Sequence, residues 1–454
     1  MIVMKFGGTS VGDASRIAAA CEIVRAHLRQ RPAVVVSALA GVTDLLRKAI
    51  AAARAGDRET IETHLADLER RHRWALAAVQ DQRRRHDLSL EVDALFEDLR
   101  QLFRSVRILG EGTPRAADAL LAFGEALSSR ILVCALRDRG IPARWIDPRE
   151  VMITNGRHGA AEPDLDAVEL RGRAAVHPVL EAEEIPVMGG FVGATPEGVT
   201  TTLGRGGSDT SAAALGSALR AEEIQIWTDV DGLMSADPKL VPAARTLETV
   251  SFAEAKELAD YGARVLHPGS IGPAVRRHIP IRILNSLRPD GAGTRIMGEP
   301  LALAPPIASV ASRGGVRTLR IAGVEGRMEA GLLPRALAAL DREGIVLDLV
   351  VSSRVGATLA VQGGEDLSGV ERALGGEARV ETGPSRAILC VVGSALGRDA
   401  AVRARVLSSL AELEPEMVAL GGSGSSAAAV IPEARLEESV RALHRRFFEE
   451  DGWA

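Results

Sequence analysis

The chain opens on a short apolar run, Ile2 to Phe6, with GGTS directly behind it, which predicts a buried strand entering a tight turn. Asp13 to Leu28 then places Ile17, Ala20, Cys21 and Val24 on one helix face, and the β-branched run Ala33 to Ser37 predicts a second strand. Strand, helix and strand at this spacing make a βαβ unit, hence a parallel sheet covered by helices. Between Asp57 and Val106 the period changes: Ile61, Leu65, Leu68, Leu76 and Val79 recur at helical spacing, as do Leu88, Val92, Leu95, Leu99, Leu102 and Val106. These predict a pair of amphipathic helices packed on the domain, since the pattern spans too few heptads for a coiled coil. Alternation then resumes, with helices expected over Ala119 to Leu136, Leu170 to Ala182 and Ser208 to Leu219. Strands are expected over Arg144 to Ile146, Ile185 to Gly189, Ile224 to Trp227 and Ile281 to Leu284.

The turn-rich stretch Arg288 to Pro300 and the pair Pro305–Pro306 predict a boundary. Beyond it the pattern repeats on a smaller scale. Strand Thr318 to Val324, helix Leu332 to Glu343, strands Val346 to Ser352 and Ala357 to Val361 and helix Leu367 to Leu374 form one unit. Strand Ala387 to Val392, helix Ala400 to Leu413, strands Glu416 to Leu420 and Ser426 to Ile431 and helix Leu436 to Phe447 form the next. Each has the ferredoxin-like βαββα(β) order, and neither contains a catalytic cluster, so this tail reads as a paired binding or regulatory module. The fold class is therefore α/β: a parallel-rich central sheet covered by helices, followed by two ferredoxin-like units.

Composition narrows the function. With 46% hydrophobic and 25% charged residues the 454-residue chain can build a sizeable core. A net charge of −5 and 3% aromatics, with Tyr261 the sole tyrosine, argue against a nucleic-acid surface. No run approaches about 18 consecutive apolar residues, so no membrane span is expected. The start, MIVMKFGG, lacks a basic region followed by an apolar one, so no signal peptide is expected. Three widely spaced cysteines, Cys21, Cys134 and Cys390, fit a reducing cytoplasm. Lysine is scarce: only Lys5, Lys48, Lys239 and Lys256 occur among 55 basic residues. Where this chain keeps a lysine in a motif, a compact rotatable ammonium is the property it needs.

Lys5 heads such a motif. In KFGGTS, Lys5 to Ser10, two glycines allow close backbone approach at a strand's carboxyl end, a helix begins nearby, and Lys5 adds a mobile charge; together they suit a polyphosphate. A second motif, Thr201 to Leu215, carries Gly204, Gly206 and Gly207 into a small-residue helix, with Ser208 or Asp209 expected as N-cap. It is neither a Walker A loop nor a dinucleotide fingerprint. Arg205 there can fork onto a carboxylate or phosphate, and Asp209 can hold Mg²⁺ or orient Lys5. Thr228 and Asp229, in the stretch Trp227 to Lys239, stand at a strand end where an open sheet binds ligands. Ser37 and Thr43, in VSALAGVTD, offer hydroxyls, and Glu125, in FGEALSSR, is a carboxylate in an apolar helix that must face solvent or meet a cation such as a substrate ammonium. The histidines lack metal-ligand spacing, and His267 is expected to close a helix end.

These motifs, KFGGTSV, VVVSALAGVTD, LLAFGEALSSRIL, GFVGATPEG, TTLGRGGSDTSAA, TDVDGLMSADPK and GARVLHPGSI, taken in order, resemble the aspartate kinases of the amino acid kinase superfamily, and the C-terminal repeat resembles their paired ACT domains. The resemblance implies a catalytic domain over residues 1–297, a linker over 298–315 that offers a strand to the second ACT unit, and ACT-like domains over 316–383 and 384–454. It implies ATP- and Mg²⁺-dependent phosphorylation of L-aspartate to 4-phospho-L-aspartate, the entry to lysine, threonine and methionine, with an amino-acid effector and a homodimer formed through the ACT domains. By motif position Lys5 neutralises the transferring phosphoryl, and Gly7, Gly8 and Ser10 flank the phosphate path. Asp209 organises Mg²⁺ or Lys5, Arg205 takes the substrate α-carboxylate and Glu125 its ammonium, and Ser37 and Thr43 complete that pocket. Thr228, Asp229, Met234, Lys239, Arg264 and Val265 surround the nucleotide, Met234 and Arg264 replacing an aromatic and a lysine frequent there. Asp348, Ser352 and Ser353 are the effector candidates. Arg354 stands where an acidic residue often follows the serine, which sets a cation against lysine as effector. The competing readings are a kinase of another acid, such as glutamate or N-acetylglutamate, and a non-catalytic amino-acid sensor. Glu125 with Arg205 favours a free zwitterionic substrate over an acetylated one, and Lys5, Arg205 and Asp209 together favour an enzyme.

Overall fold

The computed structural model describes residues 1–110, 112–262, 269, 271–298, 305–324, 331–362 and 367–450. The chain divides into two compact units, Met1–Leu233 with Val265–Gly298, and Met234–Arg264 with Glu299–Ala454. The segment Met234–Arg264 thus clusters with the C-terminal part of the chain.

The first unit is built on a sheet whose strands run Ala143–Ile146, Ile185–Gly189, Ala33–Val36, Ile2–Phe6, Glu223–Thr228, Ile281–Asn285 and Thr294–Met297 from side to side. Neighbouring strands from Ala143–Ile146 through Ile281–Asn285 pair in parallel, and Thr294–Met297 closes on in antiparallel fashion. Side chains alternate between faces. Ile2, Met4 and Phe6 enter one core with Ile17, Val24 and Leu132, whereas Val3 and Lys5 face the helix Gly207–Leu219. Asp13 starts the helix Ala14–Ala26 by accepting the Arg16 N–H, which satisfies one of its free amides. The chain leaves Ile2–Phe6 for a neighbour on one side and returns to Glu223–Thr228 on the other. That reversal opens a crevice at the carboxyl end of Ile2–Phe6, where such sheets bind ligands.

The helical stretch between the first strands belongs to the same core. Helices Arg58–Ala75 and Gln82–Leu109 bury Ile61, Leu65 and Leu68, and Leu88, Val92, Phe96, Leu99, Phe103 and Val106. The stripe of the second helix therefore runs through Phe96 and Phe103, while Leu102 is exposed. Steps of four and three that average a straight helix's 3.6 residues carry the stripe past Leu95 and Leu102. Pro114–Asp138 has the length and apolarity of a membrane span, but it is the pair of helices Pro114–Leu121 and Phe123–Asp138 and is mostly buried against this core.

In the second unit an antiparallel sheet runs Leu347–Ser352, Gly356–Gln362, Ser309–Gly323, Ala378–Val392, Ser426–Pro432 and Met417–Leu420. The two long strands are shared. Val316 to Ala322 pairs with Gly356–Gln362 around one core of Leu319, Ile321, Leu340 and Leu359. Ser309 to Arg313 pairs with Ile388 to Val392 around another of Val310, Leu389, Val406 and Ile431. A register shift between Arg313 and Val316 marks the passage from one half to the other.

Candidate functional site

Five segments of the first unit converge outside the carboxyl end of Ile2–Phe6 around a cavity of about 330 Å³. Lys5 reaches it from the strand and is largely buried; its Nζ lies 2.6 Å from Oδ1 of Asp209. Asp209 sits in the first turn of Gly207–Leu219, a helix whose N-cap is Gly206 in the left-handed region (φ 70°). The expected cap, Ser208 or Asp209, is therefore displaced into the first turn. Capping by glycine leaves the Asp209 carboxylate free to pair with Lys5, and the positive dipole end of the helix lies with them at the cavity.

The GGTS loop is stitched to the strands beside it. The Gly7 N–H donates to the Trp227 carbonyl at 2.9 Å, and the Ala40 N–H to the Gly8 carbonyl at 3.1 Å. A Cβ on Gly8 would fall 2.8 Å from the Ala38 carbonyl oxygen, so only glycine allows the two backbones to meet. Ser10 is turned away from the cavity: its buried hydroxyl lies 3.1 Å from the Trp227 carbonyl and 2.7 Å from the Ser286 hydroxyl. It supports the loop from behind.

The far wall comes from Ser37 to Arg47 and the helix Phe123–Asp138. Ser37 and Thr43 face the cavity, and the Ser37 carbonyl accepts from Ser128 at 2.8 Å. Glu125 is buried there and accepts the Ala38 N–H on Oε1 at 3.1 Å, while Oε2 has no hydrogen-bond partner among the described residues. Burial pushes its carboxyl up to about 8, against the lowering pull of the Ala38 amide and the Lys5 ammonium. Arg205 extends exposed from the glycine loop into the cavity mouth, with no hydrogen-bond or ion-pair partner among the described residues.

Thr228 and Asp229 follow Trp227 at the end of the adjoining strand. The Thr228 hydroxyl donates to Asp229 at 3.2 Å, and the Thr228 carbonyl accepts the Ser286 N–H at 2.8 Å. Met234 and Lys239 belong to the second unit: Met234 accepts the Ser309 hydroxyl on its carbonyl at 2.9 Å, and the Lys239 N–H donates to Asp237 at 2.9 Å. Arg264, Val265 and His267 lie outside the described residues. Asp348 is buried in the second unit and paired with Arg313, and desolvation raises its carboxyl. Ser352 and Ser353 are exposed where its strand ends.

Residues outside the predicted set also form the site. Ala38 to Gly41, Asp44, Arg47, Phe191 and Ser208 touch the cavity. Phe191 holds a left-handed backbone (φ 63°), uncommon for an aromatic residue, fixed by its amide donating to Ser211 at 3.0 Å and its carbonyl accepting from Leu203 at 2.9 Å. The stretch GGFVG carries no titratable group, so only its place in the motif order marks it.

A strand-end lysine held by an acid at a helix start, beside a buried carboxylate and a free guanidinium, suits phosphoryl transfer to a zwitterionic acid. The chain belongs to the amino acid kinase family, whose model matches residues 1–285. Among its relatives are aspartokinases. It is 32% identical over 458 residues to the lysine-sensitive aspartokinase 3 of Escherichia coli (strain K12), covering 99% of both chains. Its fold matches the crystal structure of E. coli aspartokinase III in complex with aspartate and ADP (R-state), with a TM-score of 0.85 over 99% of this chain and 100% of that one. The lysine and aspartate complex of the same enzyme (T-state) matches with a TM-score of 0.84 at 32% identity, again over 99% of this chain and 100% of that one.

Proposed function

We propose that this chain is a feedback-regulated aspartate kinase, transferring the γ-phosphoryl of ATP to the side-chain carboxylate of L-aspartate. The observation that carries this reading is the convergence of the Lys5–Asp209 pair, Glu125 and Arg205 on one cavity. The nucleophile is a carboxylate, already ionised at neutral pH, so no residue has to remove a proton from it. Catalysis then rests on alignment and charge neutralisation, and alignment alone can supply on the order of 7–11 kcal/mol.

Arg205 takes the α-carboxylate with its guanidinium fork, and Glu125 takes the α-ammonium. With both α-substituents held, the side-chain carboxylate is directed toward Lys5. Asp209 holds the Lys5 ammonium at 2.6 Å, so its charge is in place before the phosphoryl group acquires negative charge in transfer. Gly7, Gly8 and the amino end of Gly207–Leu219 form the path for the phosphates, and Thr228 and Asp229 stand at the nucleotide side. No group of three acidic, histidine or cysteine side chains able to hold a metal occurs among the described residues. Mg²⁺ would come with the nucleotide, and Asp209, in the cavity beside Lys5, would be the carboxylate to hold or orient it there.

The ferredoxin-like pair is the regulatory part, and an amino-acid effector meets Asp348, Ser352 and Ser353. Exposed Arg354 follows them, which favours an effector with an uncharged side chain over a cationic one. Val350, Val351, Val418 and Leu420 are exposed on the two end strands of that sheet, the feature a second copy would cover in a homodimer. The three cysteines are free, and burial raises the thiols of Cys21 and Cys390, in keeping with a cytoplasmic enzyme. The reading is tested by measuring ADP production with aspartate, glutamate and N-acetylglutamate. Aspartate is expected to give the highest kcat/KM, and any other acid surpassing it would overturn the assignment.

A further inference from the structure

Asp118 does not border the cavity, yet it connects the two elements that carry the substrate clamps. Its side chain is completely buried. It accepts Nδ1–H of His158 at 2.6 Å, the Thr202 hydroxyl at 2.5 Å and the Gly159 N–H at 3.1 and 3.2 Å to its two oxygens. Asp118 lies in the helix Pro114–Leu121, joined through Ala122 to the helix that carries Glu125. Thr202 ends the strand Thr200–Thr202, which runs directly into the loop that carries Arg205. The intervening segment is fastened to both: the Ala161 N–H donates to the Thr202 carbonyl at 2.9 Å, and the Gly159 carbonyl abuts Gly204 so closely that a Cβ there would fall 2.9 Å from it. Gly204 itself sits at φ 72°.

Burying a carboxylate is costly unless it is well supplied with donors. Here one carboxylate ties three separate segments, and two of them lead within a few residues to the two clamps on the substrate's α-carbon. We infer that Asp118, with His158 and Thr202, is a positioning group that fixes the separation of Glu125 from Arg205, and so holds the two clamps at the spacing of the α-ammonium and α-carboxylate that an α-amino acid presents. The inference rests on Glu125 and Arg205 being the two clamps. It places the determinant of aspartate affinity outside the binding cavity.

The test uses the full-length chain. Asp118→Asn and Thr202→Val are assayed for kcat and for the KM of aspartate and of ATP, beside Arg205→Ala as a comparator. Losing one hydrogen bond to a buried charge predicts an aspartate KM raised roughly 10-fold in each positioning variant. Turnover and the ATP KM should stay within about twofold, because neither the Lys5–Asp209 pair nor the nucleotide side is touched. An unchanged aspartate KM in folded Asp118→Asn and Thr202→Val, with Arg205→Ala raising it, overturns the positioning role and leaves the clamps intact. A fall of kcat together with a rise of both KM values assigns Asp118 to general stability and equally overturns it. If Arg205→Ala leaves the aspartate KM unchanged, the clamp reading itself fails, and this inference with it. Should Asp118→Asn not fold, the near-isosteric Thr202→Val decides alone by the same criteria.

Discussion

Glu125→Gln separates the cost of a buried acid from its use. The amide oxygen can still accept the Ala38 N–H, so the helix keeps its contact with the Ser37–Ala38 turn. Burial pushes the carboxyl from an ordinary 4.5 up to about 8. A raised folded-state value means that the protonated acid is the stable form. Its contribution is complete below about 4.5 and is lost as pH rises from there through about 8. At about 1.4 kcal/mol per pH unit, the loss reaches about 4 kcal/mol by pH 8 and roughly 3 kcal/mol at pH 7. Glutamine cannot ionise, so melting temperatures of the two proteins should coincide near pH 4.5 and diverge with rising pH, Glu125→Gln becoming the more stable. An aspartate ammonium reverses the preference by favouring the ionised carboxylate. Binding then releases a proton below pH 8, and the aspartate KM of the unaltered chain should fall as pH rises from 6 to 8. In Glu125→Gln the KM should be raised and this slope absent. A constant melting-temperature difference across pH 5–8, with a parallel KM slope in both proteins, would refute the assignment of Glu125 to the ammonium.

Arg205→Lys replaces a bidentate fork with a point charge, so the aspartate KM should rise on the order of 10-fold with the ATP KM unchanged; steady-state kinetics with either substrate varied check this. Gly8→Ala must displace the Ala38 carbonyl, a backbone-on-backbone conflict costing about 1–3 kcal/mol, and should lower both melting temperature and kcat. Lysine, threonine and methionine added singly should inhibit unequally, an uncharged effector more strongly than lysine, with the effect lost in Asp348→Asn; lysine as the strongest inhibitor would contradict the role given to Arg354.

The chemistry of the site was legible wherever a residue was out of keeping with its surroundings. Lys5 was conspicuous because lysine is rare in this chain, Glu125 because it interrupts an apolar helix, and Arg205 and Asp209 because glycines frame them. The parallel sheet followed from short apolar runs alternating with helices. Relationships between distant segments were not legible. The Ser10 hydroxyl fits a phosphate loop by sequence, but it faces Ser286, whose proximity only the sheet order creates. Phe191 borders the cavity through a backbone conformation that periodicity does not encode. Nothing in the sequence singles out Asp118, whose partner Thr202 returns to it from 84 residues along the chain. In the helical excursion, leucine spacing alone pointed to Leu95 and Leu102, whereas Phe96 and Phe103 fill the core because the stripe follows a straight helix. The strand Ser309–Gly323 serves both halves of its sheet, its Ser309 to Arg313 stretch pairing with Ile388 to Val392.

The claim that bears most weight is that the Lys5 ammonium, held by Asp209, neutralises charge on the group in flight. Steady-state turnover of Lys5→Ala, with both substrates saturating, tests it most directly. Removing a preorganised electrostatic stabiliser should lower kcat by at least about 100-fold while the aspartate KM stays near its original value. Turnover undiminished in the folded variant would contradict the account.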